Sequence, residues 1–328
     1  MQTDLDKISG FTDSHHQGNI FQTKEMFEVY EKTKNYEPVL ITIEDEGEIS
    51  GVLLAVIQKE HSGALGVLSS RSIIWGGPLV KNNDLIQLNR ILKAYTDKIK
   101  KKAIYTQFRN IRKWTDAERG VFEKNGFIYE AHLDIIVDLK KEEDELWKNI
   151  DSKGRNKIRG AGKAGTVVEV KNDMASLQES YKILSSVYQR AKLPLPSFDF
   201  FSNLYNVSSE TRGLKIFTAI YEGKIIGCRL ALVYKDIIYD FYTGAYAEYY
   251  NKYPNDVIPW EIFKWGKSKG YCHFDFGGAG KPNEPYGVRD YKMKFGGELV
   301  EYGRFVGVHK KILLQLGEFL MKIYKRIK

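Results

Sequence analysis

The sequence predicts an α/β protein of two domains, each a mixed sheet flanked by helices. Three observations carry that expectation. At 328 residues the chain is longer than one hydrophobic core usually supports. Apolar periodicity alternates along it between the helical and the strand repeat, and one order of elements occurs twice: helix, antiparallel strands, helix, strand, loop, strand. Charge also divides the chain, with 21 basic and 24 acidic residues in 1–150 against 29 and 18 in 151–328. The second half therefore carries the field that suits a phosphate-bearing partner, a basic surface with no partner being the other reading.

The first half opens with a polar segment whose His15-His16 pair reads as solvated surface. A helix follows from Phe21 to Lys34, with Phe21, Met26, Phe27 and Tyr30 at helical spacing. Two strands, 38–43 and 49–57, flank the acidic turn Glu44-Asp45-Glu46-Gly47-Glu48 and form a hairpin. A third strand, Ser72 to Trp75, ends at Gly76-Gly77-Pro78, and Asp84 caps a helix that runs to about Lys101. A strand over 103–108, a short helix over 116–125 and a final strand pair within 127–139 complete this half, giving a first domain of 1–145.

The second domain, 146–308, begins with a charged, helical junction that includes the basic run 153–163. That run reads either as a surface for nucleic acid or phosphate, or as a plainly solvated face. A strand over 167–170 and helices over 174–192 and 198–207 lead into a three-stranded meander, 214–221, 224–234 and 237–243, with turns at Glu222-Gly223 and Lys235-Asp236. Within its last strand the alternation sets Phe241 and Tyr242 on opposite faces, leaving core face and pocket wall both open for Tyr242. A helix over 256–269 then delivers the stretch YCHFDFGGAGKPNEPYGVRDYKMKFGG, 271–297. There a half-buried strand carries Asp275 to its end, Gly277 and Gly278 allow close approach of a ligand or backbone, and Tyr286, Arg289, Asp290, Tyr291, Lys292 and Lys294 crowd the following loop.

Several chemistries are excluded. Cys228 and Cys272 are the only cysteines and show no metal spacing, so neither a disulfide framework nor a zinc site is expected. The glycines after Phe276 imitate a P-loop, but Asp275 stands at its first glycine and Pro282 at its Mg²⁺-binding hydroxyl. There is no G-x-S-x-G elbow, no H-E-x-x-H and no dinucleotide fingerprint, and His132 and His273 read as core residues of apolar strands. The N-terminus lacks a basic region followed by an apolar one, and no run reaches the length of a membrane span, so a cytoplasmic protein is expected.

The repeated order is that of a GNAT-type N-acyltransferase fold present twice. The stretches GNIFQTKEMFEVY, RSIIWGGPLV, FEKNGFIYEAHLDIIVDL, ELWKNIDSKGRNKIRGAGKAG, FDFGG and YKMKFGG resemble the Fem family of nonribosomal peptidyltransferases, in family order along nearly the whole chain. The resemblance implies two fused GNAT-like domains and transfer of an aminoacyl group from aminoacyl-tRNA to an amine of a peptidoglycan precursor. Acyl-CoA or acyl-carrier dependent N-acylation in envelope glycan synthesis, a non-catalytic binding module on the same fold and a membrane-surface scaffold are the alternatives. The family's Phe-Lys-x-x-Phe-Gly pattern falls on Tyr291 to Gly296 and makes Lys292 the expected catalytic residue, a cation beside the tetrahedral oxyanion. Asp275, Gly277, Gly278, Tyr286 and Tyr291 are then expected to shape the substrate pocket and Arg289 to meet an anionic group, with Tyr242, Arg71 and Trp75 as further substrate-binding residues.

The chain departs from the family in two ways, and the CoA reading meets a separate difficulty. Ile74-Trp75-Gly76-Gly77-Pro78 lacks the arginine of the family's Gly-Pro motif, which puts binding of a UDP-linked muramyl peptide in doubt, and the helical hairpin that some members insert has no room. The GNAT pyrophosphate pattern, Arg/Gln-x-x-Gly-x-Gly/Ala, is met by Arg159 to Ala164, but before the first strand of the domain instead of after its fourth. No tightly bound cofactor is expected; aminoacyl-tRNA or acyl-CoA is a co-substrate. The last segment, 309–328, has an apolar stripe and six basic residues against Glu318. It reads as a basic amphipathic helix that packs back on the first domain, as the resemblance implies, or meets the anionic inner face of the membrane beside a lipid-linked acceptor. A monomer is expected.

Overall fold

The computed structural model describes residues 2–59 and 69–317. In chain order the elements are α1 (Gln2–Ser14), α2 (Lys24–Lys32), β1 (Tyr36–Asp45), β2 (Glu48–Gln58), β3 (Arg71–Trp75), β4 (Leu79–Val80), α3 (Leu85–Ile99), β5 (Tyr105–Arg109), α4 (Asp116–Lys124) and β6 (Ile128–Glu130). There follow β7 (Leu133–Asp138), α5 (Glu143–Asn149), α6 (Ser152–Lys163), β8 (Val167–Lys171), α7 (Met174–Arg190), α8 (Phe198–Asn206), β9 (Gly213–Tyr221), β10 (Lys224–Tyr234), β11 (Ile237–Ala245), α9 (Pro254–Ser268), β12 (His273–Gly278), α10 (Gly287–Met293), β13 (Glu298–Glu301) and β14 (Arg304–Val308). Two compact units result, Met1–Ala131 with Tyr302–Lys328, and His132–Glu301.

Each unit holds a seven-stranded mixed sheet with one parallel pair. The first runs β1-β2-β3-β5-β14-β6, with β4 also on β2, and β3 parallel to β5. The second runs β13-β7-β12-β11-β10-β9-β8, with β11 parallel to β12. β2 is buried continuously from Gly51 to Ile57, as a central strand covered on both faces must be. The stripe Leu88, Ile91, Leu92, Tyr95 and Ile99 of α3 packs on one of those faces. Asp84 accepts from the Ile86 and Gln87 amides, so α3 begins where its cap was expected.

The unit boundary is not at 145/146, because the strands expected as a pair within 127–139 join different sheets. β6 is an edge strand, with Ile128 71% exposed, and among the described residues it pairs only with β14. β7 buries Leu133, Ile135 and Val137 and lies between β12 and β13 of the second sheet. In exchange β14, expected in the second domain, pairs with β5 and β6 and stacks Phe305 on Phe122 at 3.9 Å in the first core. Among residues 309–317 the chain is helical from 311 and leaves Ile312 and Leu316 exposed. The rest of the expected amphipathic helix lies outside the described residues. No helix among the described residues is long and apolar enough to cross a membrane.

His15 is not solvated as expected. Ile8 and Thr12 turn α1 inward, and the buried imidazole accepts from the Gln17 amide at Nδ1 and therefore donates from Nε2 to Val80 O at 2.9 Å. The GNIFQT and Gly-Gly-Pro stretches meet for a structural reason. β3 leaves β2 after Ile73, and β4 joins it only at Val52, so Leu54 has no partner strand on that side. Gln22, fully buried, fills the gap: its amide donates to Leu54 O at 3.0 Å and Trp75 O at 2.7 Å and accepts from Leu54 N at 2.7 Å. Asn19 does the same at Gly76 O, 2.8 Å, and stands where a side chain on Gly76 (φ 60°) would be. Replacing Gln22→Ala strands these buried backbone groups and should lower unfolding stability by roughly 3 kcal/mol, read by denaturant titration. A loss under about 0.5 kcal/mol would show that water takes the place of the amide.

Candidate active site

In the second unit β11 and β12 pair only at Ile237–His273, Ile238–Phe274 and Tyr239–Asp275. Beyond that point the two strands part, and on the other side of β12 the register with β7 is broken between Asp275 and Gly278. Phe276 and Gly277 thus have no partner in either ladder, and Gly278, which rejoins β7 opposite Asp134, has none on the β11 side. Lys292, on α10, takes up their carbonyls: its ammonium donates to Phe276 O at 2.6 Å, Gly278 O at 2.9 Å and Gly277 O at 3.3 Å. The turn is fixed from below by Asp275, whose Oδ1 accepts from the Gly277 amide at 2.6 Å, with Gly277 at φ 68°.

Behind the divergence lies a buried ion pair. Arg229 of β10 is 1% exposed and donates from Nη1 to Asp240 Oδ2 at 2.7 Å. Its Nη2 reaches Tyr291 Oη at 3.4 Å, and Tyr291 in turn donates to Asn255 O at 2.5 Å. Arg229 Nε and Asp240 Oδ1 are buried without a hydrogen-bond partner. Burial raises the Asp240 carboxyl, against the pull of Arg229 and Lys292. Burial also pushes Asp275 up to about 6, opposed by the Gly277 amide and Lys292 and helped by Asp240. The Lys292 ammonium is lowered, first by burial, with Asp240 opposing and Arg229 adding. The arrangement is a dry, nearly balanced charge cluster in which one carboxyl, Asp275, changes protonation close to neutral pH.

The expected residues Asp275, Gly277, Gly278, Tyr291 and Lys292 come together here. Arg289 does not offer its guanidinium to a ligand: it donates to Ala279 O, Lys281 O and Glu284 O and closes its own loop. Tyr286, 40% exposed, lies where a side chain on Gly280 would be. Tyr242 packs in a wall with Phe201 at 5.0 Å and Tyr188 at 5.8 Å. Phe241 joins it at 4.7 Å instead of facing away, because a bulge against Leu230/Ala231 breaks the alternation. His132 and His273 are half-buried and not core, with His273 Nδ1 3.9 Å from Asp236. Arg71 and Trp75 belong to the first unit, where Arg71 donates to Gln58 at 3.3 Å and Trp75 lies between Phe21 and the Arg109 guanidinium. Sequence reasoning missed Arg229 and Asp240. The available signal was the arginine inside the otherwise apolar KIIGCRLALVY, since a charge there demands a partner.

Residues 150–293 match the family described as acetyltransferase (GNAT) domain. Over 264 residues, 74% of this chain and 76% of the relative, the sequence is 21% identical to UDP-N-acetylmuramoylpentapeptide-lysine N(6)-alanyltransferase of Weissella viridescens. The fold is similar to the crystal structure of FemX, with TM-score 0.74 at 18% identity, covering 95% of this chain and 98% of that one. It is also similar to a tandem GNAT protein from the clavulanic acid biosynthesis pathway, with TM-score 0.56 at 8% identity and 94% of each chain covered. Fold and comparisons together define a tandem GNAT-fold protein. Within that class the chain is similar along most of its length to the Weissella viridescens alanyltransferase in sequence and to FemX in fold.

The buried pair makes a stability prediction. Arg229→Met leaves Asp240 buried without its partner and should cost about 3–5 kcal/mol, while Arg229→Met with Asp240→Leu should recover most of that loss. Equal losses in the single and double variants would show that the ion pair contributes packing alone.

Proposed function

We propose that the second unit transfers an aminoacyl group from an RNA-linked ester to a primary amine of a peptidoglycan-type precursor. The observation that carries the reading is the opening between β11 and β12, which begins at a carboxyl poised near neutrality, Asp275, and is fixed by the lysine that holds the strand end, Lys292. The likeness to an alanyltransferase that acts on a muramoylpentapeptide lysine supports it. The amine nitrogen attacks the ester carbonyl, a carbon–nitrogen bond forms, the carbon–oxygen bond breaks and the ribose hydroxyl leaves. The amine loses one proton in the process; Asp275 accepts it and returns it to the ribose oxygen as the carbon–oxygen bond breaks, which regenerates the carboxylate. Lys292 has its three N–H donors engaged, so it acts as a positioning residue whose fixed positive charge favours the oxyanion at short range without donating to it.

An acyl-CoA donor is the second reading, favoured by the GNAT domain match. Against it, the turn into α9 after β11 lacks the glycine-rich run of amides, has Pro254 at the helix start and places Asp256 in the first turn.

Two variants test the proposal. Lys292→Met should lower kcat by about tenfold or more with a smaller change in KM, and should also lower the melting temperature, since three carbonyls lose their donor. The stability loss differs from a surface lysine's, and unchanged turnover would remove Lys292 from the site. For Asp275 the folded pKa is raised, so the acid form stabilises the protein below the ordinary carboxylate range and that contribution is lost as pH rises through about 6. Turnover should rise over the same interval as the base appears. Asp275→Asn should flatten both profiles; a turnover limb near pH 6 that persists in this variant would assign the base elsewhere.

A further inference from the structure

We infer that the outer face of α6 is a docking surface for the sugar-phosphate backbone of RNA. The inference rests on the RNA-linked donor proposed above and names where the body of that donor lies. Between residues 148 and 163 there are six basic residues and one acid, Asp151, whose carboxylate caps α6 at Gly154 N. Two of the six are committed within the protein. Arg155 donates to the carbonyls of Lys148 and Ile150, and Lys157 stands 3.6 Å from Asp256. Lys153, Arg159 and Lys163 are exposed, and among the described residues none of them has a carboxylate partner. Arg159 lies over the Trp147 ring at 5.2 Å, which orders its guanidinium without neutralising it.

Spacing selects the occupant. Lys153 and Lys163 are ten residues apart on one helix, ~15 Å along its axis, more than a single phosphate spans and a natural distance for several phosphates of a strand. Gly162 lies open beside them, with nothing near the position of a side chain, so a backbone can approach closely. A membrane surface fits less well. The apolar residues of α6, Ile158 and Ala161, are buried against the unit's core, and its exposed face has no apolar side chain to enter lipid.

The test measures binding of an unacylated tRNA to the full chain by fluorescence anisotropy, between about 50 and 200 mM salt. Because the probe carries no aminoacyl group, the result does not depend on whether transfer occurs, and a failure of the proposed reaction is read separately. The triple variant Lys153→Gln, Arg159→Gln, Lys163→Gln should bind about tenfold or more weakly. Its loss of affinity over that salt range should be about 40-fold smaller than that of the wild type, as three phosphate contacts imply. The charge-preserving variant Lys153→Arg, Arg159→Lys, Lys163→Arg should keep both affinity and salt dependence. Lys224→Ala with Lys269→Ala, which removes exposed charge elsewhere, should leave them unchanged. Equal affinity and salt dependence in the triple Gln variant overturns the inference, as does absence of tRNA binding by the wild type. A triple variant that loses only binding to anionic vesicles would assign the face to a membrane instead and would equally overturn it.

Discussion

A sheet that parts its strands exposes backbone carbonyls, and each needs a donor. This constraint organises the second unit. Where β11 and β12 separate, three successive residues of β12 lose their β11 partner, and one ammonium takes up all three carbonyls. The first unit meets a related problem between β2, β3 and β4 with a neutral group, the Gln22 amide. The two solutions differ in consequence. An amide completes a ladder and adds no field, whereas the half-buried ammonium leaves a positive charge at the opening, where it is screened less than at an exposed surface.

That charge explains the grouping around it. Arg229 and Lys292 are two cations in a dry region, and Asp240 pairs with the first at 2.7 Å while also facing the second. For Asp275 desolvation outweighs the opposing pull of the Gly277 amide and Lys292, and the neighbouring Asp240 raises the carboxyl further. Its proton is therefore held to about pH 6. The poise of Asp275 is a property of the cluster, and Tyr291 belongs to the cluster because its hydroxyl links the Arg229 guanidinium to the backbone ahead of α9.

Much of the fold was legible because helices and strands here follow their periods and caps: the β9–β11 meander, the hairpin of β1 and β2 and the Asp84 cap fall where the residues place them. What was not legible is long-range. Nothing local distinguishes β6 from β7 as members of different sheets, since only the distant β14 decides the first partner and β12 the second. Likewise Lys292, Asp275 and Tyr291 are near in sequence and were found together, but Arg229 and Asp240 enter from strands well upstream. Arg289 was misread for a different reason. A guanidinium in a Gly/Pro loop serves a ligand or the loop's own carbonyls equally well, and only geometry separates the two.

The start of α9 bears on the donor. A helix N-terminus attracts phosphate because its first amides are free and its dipole is positive there. In this chain Pro254 removes one of those amides, and the buried Asp256 places a carboxyl in the first turn. Burial raises that carboxyl, and Lys157 and Lys294 oppose the shift. A pyrophosphate brought to this end would meet an acid and find one amide fewer than at an ordinary helix start. A donor recognised instead through a polyanionic body needs its cations further out and uncommitted. On α6 one cation, Lys157, stands against Asp256, while Lys153, Arg159 and Lys163 are exposed and, among the described residues, have no carboxylate partner.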